Sequence, residues 1–369
     1  MIEDRLLTDL RSIRQTLAVM GRSRMPNHSL AAHRTLIQLE RILTRPMRLA
    51  VMGEQNSGKS LLINYLLKHQ VLPSGGFAGE TTELLIRHSE EPSVHAIAAD
   101  GTRNRLTSKA FGRLVKPEMR AAPSTTSVIY DAHNPRKSSA QEASSPASLI
   151  LAARSESQAR QSRLIEIGLP LGVLRQIEFV EVRACPEGPR ESPSRRVFAQ
   201  VDMTIWCTLA TQAWKETEIV AWRRVPPGQR RTALMMATYK DAIRKGRDEE
   251  KVMARLQNAG AHLFDGVVLV SARDAIQSLL ASDPEESARL HEDSNIAIVE
   301  TAITSLMQRW QARRFEKAAR LLSALGARFA AADIPQARAA GRNIGAALER
   351  LAAEFVHAPP SITLSDQAA

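Results

Sequence analysis

Leu6, Leu10, Ile13, Leu17 and Met20 recur at three- and four-residue steps within residues 3–20, the stripe of an amphipathic helix. After a break at GRSRMPNHS a second helix is expected to run to Thr44, where Arg45-Pro46 stops it. The pattern then changes to short apolar runs. RLAVM (48–52) reads as a strand before glycine, followed by a helix to about His69 and a strand over ELLIRH (83–88). SVHAIAADGTRNRLT reads as strand, Asp-Gly turn and strand. Residues 116–160 are rich in Ser, Ala and Pro without periodicity, the composition of a disordered insertion. Strand-like runs return in SRLIEIGLP, RQIEFVEV, VDMTIWCTLA (201–210), RTALMMATY (231–239) and DGVVLVSA (265–272), with helical stretches such as EEKVMARLQNAG between them. Strands alternating with helices imply an α/β fold with a mostly parallel sheet covered on both faces.

From Pro284 the pattern is helical only. Val299, Ala302, Ile303, Leu306, Trp310, Leu322, Leu325 and Phe329 keep helical spacing, and after Pro335 an alanine-rich helix runs to about Val356. The expected organisation is N-terminal helices over 1–45, an α/β domain over 46–280, C-terminal helices over 281–358 and a disordered tail over 359–369. The two helical segments would pack together as a small bundle.

Composition narrows the class. A chain of 369 residues accommodates two to three domains at ~150 residues each. Hydrophobic residues make up 44% and aromatics 4%, so an aliphatic core is expected. No run reaches the ~18–20 apolar residues of a membrane span, and MIEDRLLTDLRSIRQ lacks the apolar centre of a secretory signal. Two cysteines, Cys185 and Cys207, with no CxxC, argue against a disulfide framework or structural zinc and fit a reducing cytoplasm. The net charge of +11 is uneven, with Lys and Arg in excess over residues 100–165 and 304–350. Solvated faces account for that excess; attraction to an anionic lipid surface or nucleic acid is the sharper reading.

The chemistry starts at residues 53–60. Gly53, Glu54, Gln55, Asn56, Ser57, Gly58, Lys59 and Ser60 satisfy GxxxxGK[ST] between a strand and a helix. The glycines permit a tight loop whose backbone N–H groups surround phosphate oxygens, aided by the helix N-terminus. Lys59 would reach the β- and γ-phosphates and Ser60 would hold Mg2+. A GTPase needs four further elements. GETTELLIR supplies Thr81, or the competing Thr82, to close over metal and γ-phosphate. The strand RQIEFVEV ends with Glu181 where an Asp-x-Pro-Gly would be expected, so this third element is degraded. Glu181 could reach the metal through a water, but its length disturbs the octahedral shell Mg2+ demands. Thr238-Tyr239-Lys240-Asp241 has the spacing of a guanine-selecting Asn-Lys-x-Asp, with Asp241 accepting from guanine N1 and N2. Ser271-Ala272 follows the last strand, where backbone donors can meet the base oxygen. No catalytic base is identifiable; Gln55 is the polar candidate in the loop.

These fragments, GEQNSGKSLLINYLL, VLPSG, TTELLIR, IEIGLPLGVLRQIEFVEV, TYKD and VSA, resemble the motif series of the dynamin superfamily, most closely bacterial dynamin-like GTPases. The resemblance covers roughly 45–275. It implies GTP and Mg2+ binding, slow hydrolysis to GDP and phosphate, and homodimerisation across the nucleotide face. Action at a membrane follows by analogy, which would make the protein cytoplasmic and peripheral at the inner face. Fewer than ~100 residues follow the last strand, so a long stalk and tip hardly fit at ~1.5 Å per helical residue. Three alternatives compete: a hydrolysis-deficient nucleotide-sensing scaffold acting through its helices, an RNA- or ribosome-associated GTPase, and an ATP-using P-loop enzyme. The absence of a Gly-x-x-Gly clamp or an aromatic RNA-binding signature disfavours nucleic acid as a partner.

Overall fold

The computed structural model describes residues 2–21, 26–72, 83–106, 164–183, 193–212, 214–260, 262–331 and 338–357. Thr81, Thr82, Cys185, the 116–160 insertion and the 359–369 tail lie outside the described residues.

The chain divides into two compact units. The first comprises Met1–Arg45 and Ser305–Thr363. Its helices are α1 (Ile2–Gly21), α2 (Pro26–Thr44), the C-terminal part of the long helix Ile296–Ala331, and the helix Arg338–His357. Leu6, Leu10 and Leu17 of α1 meet Leu36, Leu39 and Leu43 of α2, Phe315 and Leu322 of the long helix, and Leu348, Leu351 and Phe355 of the last helix in one apolar core. Each helix contributes one stripe, which is why three- and four-residue spacing in the sequence foretells the bundle.

The second unit, Pro46–Thr304, contains a nine-stranded sheet. Its strands are β1 (Met47–Gly53), β2 (Glu83–His88), β3 (Ser93–Ile97), β4 (Arg103–Arg105), β5 (Leu164–Leu169), β6 (Ile177–Arg183), β7 (Met203–Leu209), β8 (Ala233–Thr238) and β9 (Gly266–Leu269). The order is β4-β3-β5-β2-β6-β1-β7-β8-β9. β1 pairs in parallel with β6 and β7, and β7-β8-β9 continue in parallel; β2 runs antiparallel to β6, and β3 antiparallel to β4 and β5. The main helices of this unit are α3 (Lys59–Leu67), α4 (Pro193–Phe198), α5 (Glu216–Arg224), α6 (Arg247–Gly260), α7 (Ala272–Leu280) and α8 (Pro284–Ser294), with a single turn at Pro227–Arg230, after which α9 (Ile296–Ala331) begins and α10 (Arg338–His357) follows. The division falls after residue 304, so α8 belongs with the sheet.

Leu49 to Met52 are all buried, the unbroken apolar run of a central strand covered on both faces. An aliphatic core was expected, yet three of the four tryptophans gather in one spot. Trp206 lies edge-on to Trp214 and Trp222, with ring centroids 6.1 and 5.6 Å apart, and Trp222 stacks on Phe264 at 4.5 Å. A low aromatic content limits the number of rings but not their concentration, and edge-to-face pairs favour clustering.

Candidate functional site

β1 continues through α3 to β2 on one side of it, whereas β6 continues to β7 on the other, so the connections diverge at β1. Such a switch point opens a crevice outside the carboxyl ends of the strands. The loop of residues 53–58 sits there, between β1 and α3. Gly53 has φ +142°, and a Cβ on it would lie 2.2 Å from the Cys207 carbonyl oxygen of the neighbouring strand. Gly58 has φ +79°, caps α3 and packs against Thr238. Both glycines are thus required by backbone geometry, not merely tolerated. Asn56 is exposed with a left-handed φ of 61°, and Gln55 is partly exposed.

Lys59 opens α3 and is buried, its Nζ donating to the carbonyls of Gly53 at 3.1 Å and Glu54 at 2.6 Å and to Ser57 Oγ at 3.4 Å. The ammonium therefore rests on the loop's own carbonyls, over the first-turn N–H groups that favour an anion. One residue on, Ser60 Oγ donates to the Glu181 carboxylate, 2.9 Å from Oε1 and 3.2 Å from Oε2. Glu181 stands opposite Val51 of β1 in the β1–β6 pair, near the carboxyl end of β6. Burial pushes its carboxyl above the ordinary range, against the pull of Lys59 and the Ser60 hydroxyl. The Cys207 thiol at the floor of the loop is pushed up to about 12 by burial, so it carries no reactive thiolate.

Ser60 and Glu181 offer two hard oxygen donors on adjoining elements. Among the described residues no group of three or more His, Cys, Asp or Glu could hold a metal. A carboxylate and a hydroxyl are the donor chemistry that would suit a Mg2+ ion taking its other ligands from phosphates and water.

The segments after β8 and β9 meet beside the loop. Thr238 Oγ1 donates to Ser57 O at 2.9 Å and Thr208 O at 3.1 Å, tying the β8 end to the loop. Tyr239 takes a left-handed φ of 61°, turning the chain so that Asp241 Oδ1 accepts from Ser271 Oγ at 2.9 Å. Ser271 also caps α7 by accepting from the Asp274 N–H, and Ala272 begins that helix. Thr238, Asp241, Ser271 and Ala272 thus occupy one end of the sheet with the phosphate loop.

Lys240, also expected to take part in nucleotide binding, makes its contacts at the end of α8. It is buried, and its Nζ donates to the Asp293 carbonyl and lies 3.5 Å from Asn295 Oδ1 at the end of α8. Its observed part is to anchor the turn that presents Asp241. Sequence reasoning also missed a pair of contacts to Glu54: Lys215 Nζ lies 3.0 Å from Oε2 and Thr217 Oγ1 2.7 Å from Oε1. No spacing signal links residues 161 and 163 positions apart.

A mostly parallel sheet with a GxxxxGKS loop at the carboxyl end of a central strand is the P-loop type of α/β fold, as the sequence led us to expect. No family model matches the chain, and no curated protein matches it. Solved structures to which the chain is similar include two chains of an oligomerised bacterial dynamin pair. One is 14% identical, covering 81% of this chain and 42% of that one, with a TM-score of 0.44; the other is 15% identical, covering 89% and 56%, with a TM-score of 0.47. Era from Aquifex aeolicus, bound to GDP and AlF4−, is 10% identical over 70% of this chain and 56% of that one, with a TM-score of 0.33. The chain spans about half the length of the solved proteins it matches.

Proposed function

We propose that this protein binds GTP with Mg2+ at the loop 53–60 and hydrolyses it slowly. The observation that carries the reading is the convergence at one sheet end of Lys59, the Ser60–Glu181 pair and the Asp241–Ser271 pair. Lys59 would exchange loop carbonyls for phosphate oxygens, and the first-turn N–H groups of α3 would complete the phosphate seat. Ser60 and Glu181 would hold the metal, which supplies charge neutralisation for phosphoryl transfer. Asp241 would accept from guanine N1 and N2, its direction set by Ser271 Oγ and the anchor of Lys240. Thr81 is the residue proposed to close over the γ-phosphate, and Gln55 the residue proposed to orient the attacking water.

Glu181 favours slow turnover. Its carboxylate is held by the Ser60 hydroxyl, a partner it must give up before it serves a metal. The limiting case is a nucleotide-sensing scaffold that binds without turnover. Single-turnover hydrolysis of bound GTP, with and without liposomes, separates the two: phosphate release supports the enzyme, and no product in either condition supports the scaffold. The sequence resemblance extends the proposal to homodimerisation across the nucleotide face and to an anionic surface at the inner, cytoplasmic face of the membrane. The basic excess in the sequence is consistent with the latter. GTP-dependent change of mass in solution and salt-sensitive liposome binding test these two extensions.

A further inference from the structure

We infer that Lys215 and Thr217 form a clasp that keeps the Glu54 carboxylate away from Lys59, so that the loop's ammonium stays available to a triphosphate. This inference rests on the proposed nucleotide binding. Glu54 follows the first glycine of the phosphate loop, so its side chain departs from the edge of the phosphate seat. Among the described residues, the charge of Lys59 acts on the carboxyls of Glu181 and Glu54. Either one, released, would pair with that ammonium and compete with phosphate oxygens. Glu181 is occupied by Ser60. Glu54 is occupied on both oxygens, by Thr217 Oγ1 at 2.7 Å and Lys215 Nζ at 3.0 Å. The Thr217 hydrogen bond, above all, holds its carboxyl below the ordinary carboxylate range, against burial, with Lys215 adding to the effect.

The clasp has a rigid mount. The Lys215 backbone N–H donates to Glu218 Oε2 at 3.0 Å. Glu218 is itself buried, accepting from Thr208 Oγ1 at 2.8 Å and Trp206 Nε1 at 3.2 Å. The Trp214 N–H donates to Thr208 Oγ1 at 3.1 Å, with Trp214 in a left-handed φ of 61°. The segment before α5 is therefore fastened to β7, and from there presents Lys215 and Thr217 to the loop. A buried network with every member satisfied fixes one arrangement, which suits a positioning device. Lys215 also cancels the negative charge of Glu54, which would otherwise repel the incoming phosphates.

Two measurements on K215M, E54Q and the K215M/E54Q double variant test this. The first is equilibrium binding of Mg-GTP and Mg-GDP, with thermal unfolding as a check of folding. K215M is expected to weaken Mg-GTP about tenfold and Mg-GDP less, and K215M/E54Q to recover to within about twofold of wild type. A double variant as weak as K215M would show that Lys215 acts by mounting the loop and would overturn the clasp. The second is a crystal structure of nucleotide-free K215M, expected to show the Glu54 carboxylate turned onto Lys59 Nζ. A carboxylate still seated on Thr217 would overturn the inference too. If the wild-type protein binds no guanine nucleotide, the proposed function falls, and the K215M structure alone still decides the clasp.

Discussion

Replacing Thr238 by valine removes one hydroxyl and almost no volume from a residue that is 1% exposed. That hydroxyl donates to two carbonyls, Ser57 O at 2.9 Å and Thr208 O at 3.1 Å, so one proton is shared between the phosphate loop and β7. Ser57 is likewise 1% exposed, and water has little access to take the hydroxyl's place. Losing a buried hydrogen bond and leaving an acceptor orphaned costs about 1–3 kcal/mol. At about 2 kcal/mol the melting temperature of a unit this size should fall by roughly 4–8 °C. Trp206, Trp214 and Trp222 all sit in the core of the sheet unit, so tryptophan fluorescence reports its unfolding. The Ser57 carbonyl precedes Gly58 and Lys59, so a loosened anchor should also weaken Mg-GTP by about tenfold. T238S keeps the hydroxyl and should retain the greater part of the affinity. A T238V protein that melts within about 1 °C of wild type and binds nucleotide equally would refute this account of the anchor.

Gly53→Ala should abolish nucleotide binding, because a Cβ would lie 2.2 Å from Cys207 O at a φ of +142°; equilibrium titration of Mg-GTP checks it. Asp241→Asn should weaken GTP by at least about tenfold and shift preference towards xanthine nucleotides, whose N1 and exocyclic oxygen match an amide; competition between XTP and GTP reads this directly. Glu54 has a folded pKa below its ordinary value of 4.5. It should therefore add stability above that pH and lose it as pH falls through the folded value. Acid unfolding of E54Q should lack this part of the pH dependence.

Much of the fold was legible because each element has one period. The stripes of α1, α2 and the C-terminal helices announce a bundle, and the apolar runs of β1, β7 and β8 announce strands buried on both faces. The phosphate loop was legible because its glycines answer backbone demands that no other residue meets. Strand order was not legible: nothing local in ELLIRH tells that β2 runs antiparallel to β6 yet parallel to β5. Glu181 was found by position, at the end of the strand before RACPEG, and its hydrogen bond to Ser60 supplies the contact that position could not. Where the Lys240 ammonium rests was not legible, because spacing identifies a motif without saying which of its side chains turn inward. Its ammonium reaches the end of α8, over 50 residues later in the chain. The Glu54 clasp was invisible for the same reason, since long-range pairs leave no periodic trace.

The central claim is that the loop and the Asp241 turn together form a guanine-nucleotide site. Calorimetric titration of the nucleotide-free protein with Mg-GTP and Mg-ATP, repeated on D241A, tests it most directly. The account predicts saturable GTP binding, ATP weaker by at least about tenfold, and loss of that preference in D241A. Equal binding of the two nucleotides by the wild-type protein, or no binding of either, would contradict it.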